Sequence, residues 1–190
     1  IKNINFLKKM VENLFPFIVK ILSMDRFLKQ SEEVYYLEKN KNNITEQDII
    51  FLKNQAKLNK SQKCRICIHK NENELMQEMF IIHTNKCYVR PHFHSDKSES
   101  IQVLEGEADL FIFDNLGNIT DKIDLGCISS KKTFFYKIDK NIIHTIIIKT
   151  DFFLFKESTT GPFKKNMMIY PEWSPINFEN KFNNYLMNFK

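Results

Sequence analysis

With 190 residues and 43% hydrophobic content, the chain can bury one good core, and two independent cores would be a stretch. Aromatics at 13%, with 18 Phe against four Gly and five Pro, exclude a low-complexity or disordered polymer. The net charge of +5 comes from scattered lysines with no basic stripe interleaved with aromatics, so no nucleic-acid partner is expected.

In chain order, residues 1–30 carry Phe6, Met10, Leu14, Phe17, Ile18, Ile21 and Leu22 at helical spacing interrupted by Pro16. This reads as one amphipathic helix or two short ones, within a helical extension over residues 1–42. Lysines flank an uncharged run far below the ~20 residues a membrane crossing needs, so no transmembrane segment is expected. The extension's apolar face is expected to pack on the domain or on a partner subunit, which suits a homodimer. After the polar linker "EKNKNN" (38–43), "TEQDIIFLKNQAKLNKS" opens with Thr45 as N-cap and Asp48 at the third helical position, a short helix leading into the domain.

From Lys63 the pattern changes to short strand-like runs: residues 63–69, 76–83, 86–92, 101–106, 107–114, 118–125, 133–138, 142–150 and 152–157. Turn signals separate them at Asn85, Gly106, "DNLGN" (114–118), Gly126 and "DKN" (139–141). Such runs predict an antiparallel barrel or sandwich over residues 43–177, followed by a tail over 178–190. The cysteines Cys64, Cys67, Cys87 and Cys127 are too sparse for a disulfide scaffold and no cleavable signal peptide is read, which fits a reducing cytoplasm. "CRIC" has the CxxC spacing, yet on a strand positions i and i+3 face opposite ways, so packing is expected of it.

The chemistry concentrates in "VRPHFHSDKSESIQVLEGEA" (89–108). His92 and His94, two apart, project from one face of an extended strand, and after the turn in "SDKS" Glu99 can aim its carboxylate back at them. His144, in "NIIHTIII" after a turn, is the expected fourth ligand. Neutral imidazoles with one carboxylate suit one divalent ion of Fe, Zn, Mn, Ni or Cu, and leave room for water or substrate. His69 and His83 are not expected to be ligands. Arg90 shares strand parity with His92 and is a candidate to bind an anionic substrate. Glu157, on the face of Phe153 and Phe155, is a candidate catalytic proton carrier or a buried structural carboxylate.

The spacing HxHxxxxExxxxxxG, from His92 to Gly106, resembles the first cupin motif, and His144 after its turn resembles the histidine of the second. More narrowly, "RICIH", "MQEMFIIH", residues 88–120, "FFYKI…NIIHT", "E…TGPF" and "PEWSP" resemble the WbuC family over about Ile44 to Ile176. The resemblance implies a mainly β, single-domain cupin β-barrel (double-stranded β-helix or jelly roll), here with N-terminal α-helices. It also implies a cytoplasmic, metal-binding role in O-antigen or related surface-polysaccharide biosynthesis. Lys86 stands where the motif has glycine, and Asp139 and Asn141 stand where the second-motif turn has Pro and Gly. Asn tolerates the left-handed backbone such a turn requires better than most residues.

Three functions fit these residues, since fold does not give function. The first is a metal-dependent isomerase-like enzyme acting on a sugar or nucleotide sugar, with Glu157 moving a proton. The second is a non-catalytic sensor that binds a small carbohydrate or anion in the barrel. The third is an Fe(II)-dependent dioxygenase. The sequence holds no phosphate-cradling glycine-rich loop, which weakens the nucleotide-sugar form of the first.

Overall fold

The structure, a computed structural model, describes residues 26–189. The expected helix over residues 1–25 therefore lies outside the described residues. From residue 26 onward the helical expectation is corrected: β1 (Phe27–Lys29) and β2 (Val34–Leu37) form an antiparallel pair. Phe27, Tyr35 and Leu37 enter a core, and β2 is paired on both sides, with β1 and with β3, so that its backbone groups find ladder partners.

The next element is α1 (Glu46–Leu58), with Thr45 as N-cap and Asp48 at its third position, as the sequence predicts. Asp48 Oδ2 accepts from the Thr45 backbone N–H at 2.7 Å and its hydroxyl at 2.9 Å. Arg26 grips the same carboxylate with Nε at 2.7 Å and Nη2 at 2.8 Å, tying the start of β1 to the start of α1. The strands that follow are β3 (Lys63–Cys67), β4 (Met76–Thr84), β5 (Phe93–His94), β6 (Glu99–Glu105) and β7 (Glu107–Phe113). Then come β8 (Ile119–Gly126), β9 (Phe135–Ile138), β10 (Ile143–Ile148), β11 (Phe152–Thr160) and β12 (Met168–Ile169).

The chain is mainly β. One sheet runs β1-β2-β3-β4-β11-β6-β9, a second β10-β7-β8, and β12 pairs with β5. Every pairing between these strands is antiparallel except β2 with β3, which α1 joins as a crossover. The expected barrel thus takes the form of two opposed sheets. Met79, Ile81, Ile101, Phe153 and Phe155 from the large sheet meet Ala108, Leu110, Ile146 and Ile148 from the small one in a single core. On the outer face of the large sheet, Phe51, Leu52 and Ala56 of α1 cover Cys64, Ile66, Ile82 and Leu154.

Within the segment read as a C-terminal tail, α2 (Asn180–Met187) buries Leu186 against Phe111, Phe113 and Ile143 on the outer face of the small sheet. Two turns decide how the strands reach the site. Gly106, at φ +82°, turns β6 into β7, where an added Cβ would sit 2.1 Å from the Phe152 carbonyl oxygen. Asn141 takes φ +66° in the turn before β10, supplying the left-handed residue expected there.

Candidate metal centre

His92 and His144 face each other across an antiparallel bridge in which each backbone N–H donates to the other's carbonyl, at 3.1 and 2.9 Å. Their rings lie 4.5 Å apart, centroid to centroid. Inside each residue, Nδ1 lies against the carbonyl two residues earlier, Arg90 O at 2.8 Å and Ile142 O at 2.9 Å. A ring nitrogen facing a carbonyl must carry the proton, so Nδ1–H donates in both. This fixes each ring so that Nε2 is the atom presented to the cavity, the arrangement a metal-ligating histidine uses.

Glu99, the first residue of β6, reaches between His144 and His94. Its Oε1 lies 2.9 Å from His144 Nε2 and its Oε2 3.2 Å from His94 Nε2. His92, Glu99 and His144 each bring a donor atom within 4.8 Å of the others. That is close enough for one ion with bonds of about 2.0–2.2 Å after small side-chain adjustments. His94 joins this group through Glu99, its ring 5.2 Å from that of His92. All four residues read from the sequence as ligands are therefore drawn together, and His92, Glu99 and His144 form a cluster able to hold a metal ion.

The electrostatics suit a cation. Burial raises the Glu99 carboxyl, but the hydrogen bonds from His144 and His94 outweigh it and hold it well below the usual carboxylate range. Burial works against a charged His144, yet Glu99 outweighs that as well, leaving the His144 pKa above the ordinary imidazole value. Burial, with His144 beside it, lowers His92 to about 3 and keeps it neutral. A buried carboxylate between imidazoles thus already compensates one positive charge, and a neutral imidazole stands ready as a further donor.

A cavity of about 220 Å³ opens beside the cluster. Glu157 lines it, on the inward face of β11 with Phe153 and Phe155, as strand parity predicts. Burial, reinforced by the negative charge of Glu99, pushes the Glu157 carboxyl up to about 7. Arg90 does not line the cavity, which corrects the expectation that it faces a ligand there. Its Nε donates to Ser174 Oγ at 3.1 Å, its Nη2 to Ser174 O at 3.0 Å, and its guanidinium lies 4.3 Å over the Tyr170 ring. Residues 85–91 form no strand, so the parity argument did not apply to Arg90.

Sequence reasoning missed the cavity's cationic and polar wall: Lys63 and Arg65 on β3, His83 on β4, and Lys97 in the turn before β6. His69 and His83, set aside as ligands, line the cavity too without entering the donor cluster. The cysteines are unpaired, and burial pushes Cys64 up to about 12 and Cys67 to about 11, the inert packing expected of "CRIC".

A family model described as a domain of unknown function (DUF6016) matches residues 44–125. No curated protein matches the chain. Among solved structures, a Shewanella oneidensis protein is 12% identical at a TM-score of 0.46, over 56% of this chain and 72% of that one. KdgF from Halomonas sp. is 11% identical at 0.44, over 58% and 88%. The capsular polysaccharide assembling protein CapF from Staphylococcus aureus is 16% identical at 0.46, over 57% of this chain and 30% of CapF, so the likeness spans under a third of that protein. No helix among the described residues is long and apolar enough to cross a membrane.

Proposed function

We propose that the chain is a metal-binding cupin of the WbuC type, serving cytoplasmic surface-polysaccharide biosynthesis as an isomerase-like enzyme on a sugar-derived substrate. The observation that carries the reading is the donor cluster: His92 and His144, each held at Nδ1 by the carbonyl two residues earlier, gather with the buried Glu99 so that one donor atom of each lies within 4.8 Å of the others. His92, His94, Glu99 and His144 would hold one divalent ion, which would polarise a substrate carbonyl or hydroxyl. The protein's own contribution is orientation and a proton. Glu157, with a pKa near 7, can both take up and release a proton near neutral pH, as an isomerisation requires of one group.

The cavity favours the sugar over the nucleotide sugar. At about 220 Å³ it lies below the roughly 300–1,000 Å³ of pockets that enclose drug-sized ligands, so a nucleotide diphosphate would stay outside. Metal-stripped protein offered Fe(II), Zn(II), Mn(II) and Ni(II) in turn is expected to retain about one ion per chain by elemental analysis. His144→Ala is expected to lose it while remaining folded by circular dichroism. A wild type that retains none of the four overturns the reading. A metal-loaded protein in which Glu157→Gln leaves sugar turnover unchanged removes Glu157 from the mechanism.

A further inference from the structure

Part of the cavity wall is built from β3 and β4. In their register Arg65 pairs with Ile81 and Lys63 with His83, so Arg65 and His83 are diagonal neighbours on the face that carries Cys67, Met79 and Ile81 into the core. Both side chains line the cavity. Each has a buried polar atom without a partner: Nε of Arg65 and Nδ1 of His83. His83 is only 8% exposed, its ring packed edge-on to Phe155 at 5.4 Å, so it has no alternative route to solvent. Among the described residues the Arg65 guanidinium enters no ion pair. Four carboxylates share the cavity, Glu33, Glu72, Glu99 and Glu157, and none lies at ion-pair distance from Arg65: Glu33 lies 3.6 Å from Lys63, Glu99 is held by His94 and His144, and Glu157 feels Arg65 only as a charge across the cavity.

Orphaned buried polar atoms are rare in folded proteins, because nothing offsets the water each one has given up. A guanidinium is a planar fork that matches the paired oxygens of an oxyanion, and a neutral imidazole next to it adds one more polar contact. We infer that Arg65 and His83 form an oxyanion subsite, and that this cavity takes a small acid whose carboxylate or phosphate sits on Arg65 while a second oxygen function reaches the histidine cluster. The space sets the size. A cavity of about 220 Å³ equals roughly seven water volumes, enough for a molecule of three to six carbons. The subsite stands without the metal; the two-ended binding mode rests on the metal reading above.

Calorimetric titration of the metal-free, chelator-treated protein with glycerate, glycerol 3-phosphate and glycerol tests it, since these share a backbone and differ in charge. One of the acids is expected to bind at least tenfold more tightly than glycerol, and whichever acid wins identifies the group as carboxylate or phosphate. Arg65→Gln is expected to abolish that preference, and Arg65→Lys to keep part of it by charge without the fork. Because the metal is already absent from the titrated protein, the preference is read independently of metal binding. Equal binding of acid and glycerol by the wild type overturns the subsite and leaves a wall solvated by water. A preference that survives in Arg65→Gln overturns it equally.

Discussion

Replacing Glu99 by Gln keeps the side chain's shape and removes the charge on which the cluster is built. In the wild type the carboxylate is 7% exposed and flanked by Nε2 of His144 at 2.9 Å and Nε2 of His94 at 3.2 Å. A metal supplied at about one hundred times its dissociation constant stabilises the native state by about 2.7 kcal/mol. For a domain of this size that raises the melting temperature by roughly 5–11 °C. Losing the one anionic member of the four proposed ligands is expected to weaken the metal at least a hundredfold, since perturbing mere supporting groups already costs about 10–100-fold. At the same metal concentration the stabilisation then falls to about 0.4 kcal/mol, a shift of roughly 1–2 °C. Differential scanning fluorimetry of both proteins, with metal and with chelator, reads this directly. If Glu99→Gln gains as many degrees from metal as the wild type, the carboxylate is not a ligand and the reasoning fails.

Acid sensitivity supplies a second expectation: burial depresses His83 from 6.5 to about 3, so its neutral form stabilises the fold fully above pH 6.5 and that contribution drains away as pH falls toward 3. Between pH 6.5 and 5 this costs about 2 kcal/mol in urea titrations, and His83→Gln is expected to lose that much less. Gly106→Ala forces a left-handed residue and drives a Cβ to 2.1 Å from the Phe152 carbonyl oxygen, so it is expected to destabilise by at least about 2 kcal/mol in chemical denaturation. A chain beginning at Asn43 loses Phe27, Tyr35 and Leu37 from the core together with the Arg26 grip on Asp48, which is 1% exposed. It is expected to melt well below the full chain in a thermal scan, and equal melting temperatures would show that β1 and β2 are dispensable.

The proximity of His92, His94 and Glu99 was legible because it is local, whereas His144, on a distant strand, was read from the turn before it and its likeness to the second cupin motif. Residues two apart on a strand share a face, and a strand that starts after a turn, as Glu99 does in β6, aims its first side chain back. Glu157 was legible for the same reason, since Phe153 and Phe155 mark the inward face of β11. Arg65 obeys the same rule, but β3 is buried on both faces: Cys64 and Ile66 under α1, Cys67 in the inner core. Period two then says which residues share a face without saying which face meets the cavity. Arg90 failed for the opposite reason, because the rule was applied where no ladder exists. The strands β1 and β2 were hidden because β2 pairs in parallel with β3 across a whole helix, a partner no local pattern announces. In α2, Phe182 and Leu186 stand four apart, a single helical repeat too short to separate from a tail.

The parallel β2–β3 pair has a consequence for the order in which the chain is made. As the polypeptide leaves the ribosome, β1, β2, α1, β3 and β4 emerge together, and their pairings span only a few tens of residues. Residues 26–84 can therefore assemble while the rest is still being synthesised. The far edge of β4, however, pairs with β11, nine residues long and ending at Thr160, so nearly the whole chain must appear before that edge closes. Throughout that interval β4 presents an open ladder rich in Met, Phe and Ile, the kind of strand edge that recruits other chains. The nascent protein is thus most prone to aggregate between the appearance of β4 and that of β11, and a chaperone that shields strand edges would act in that window.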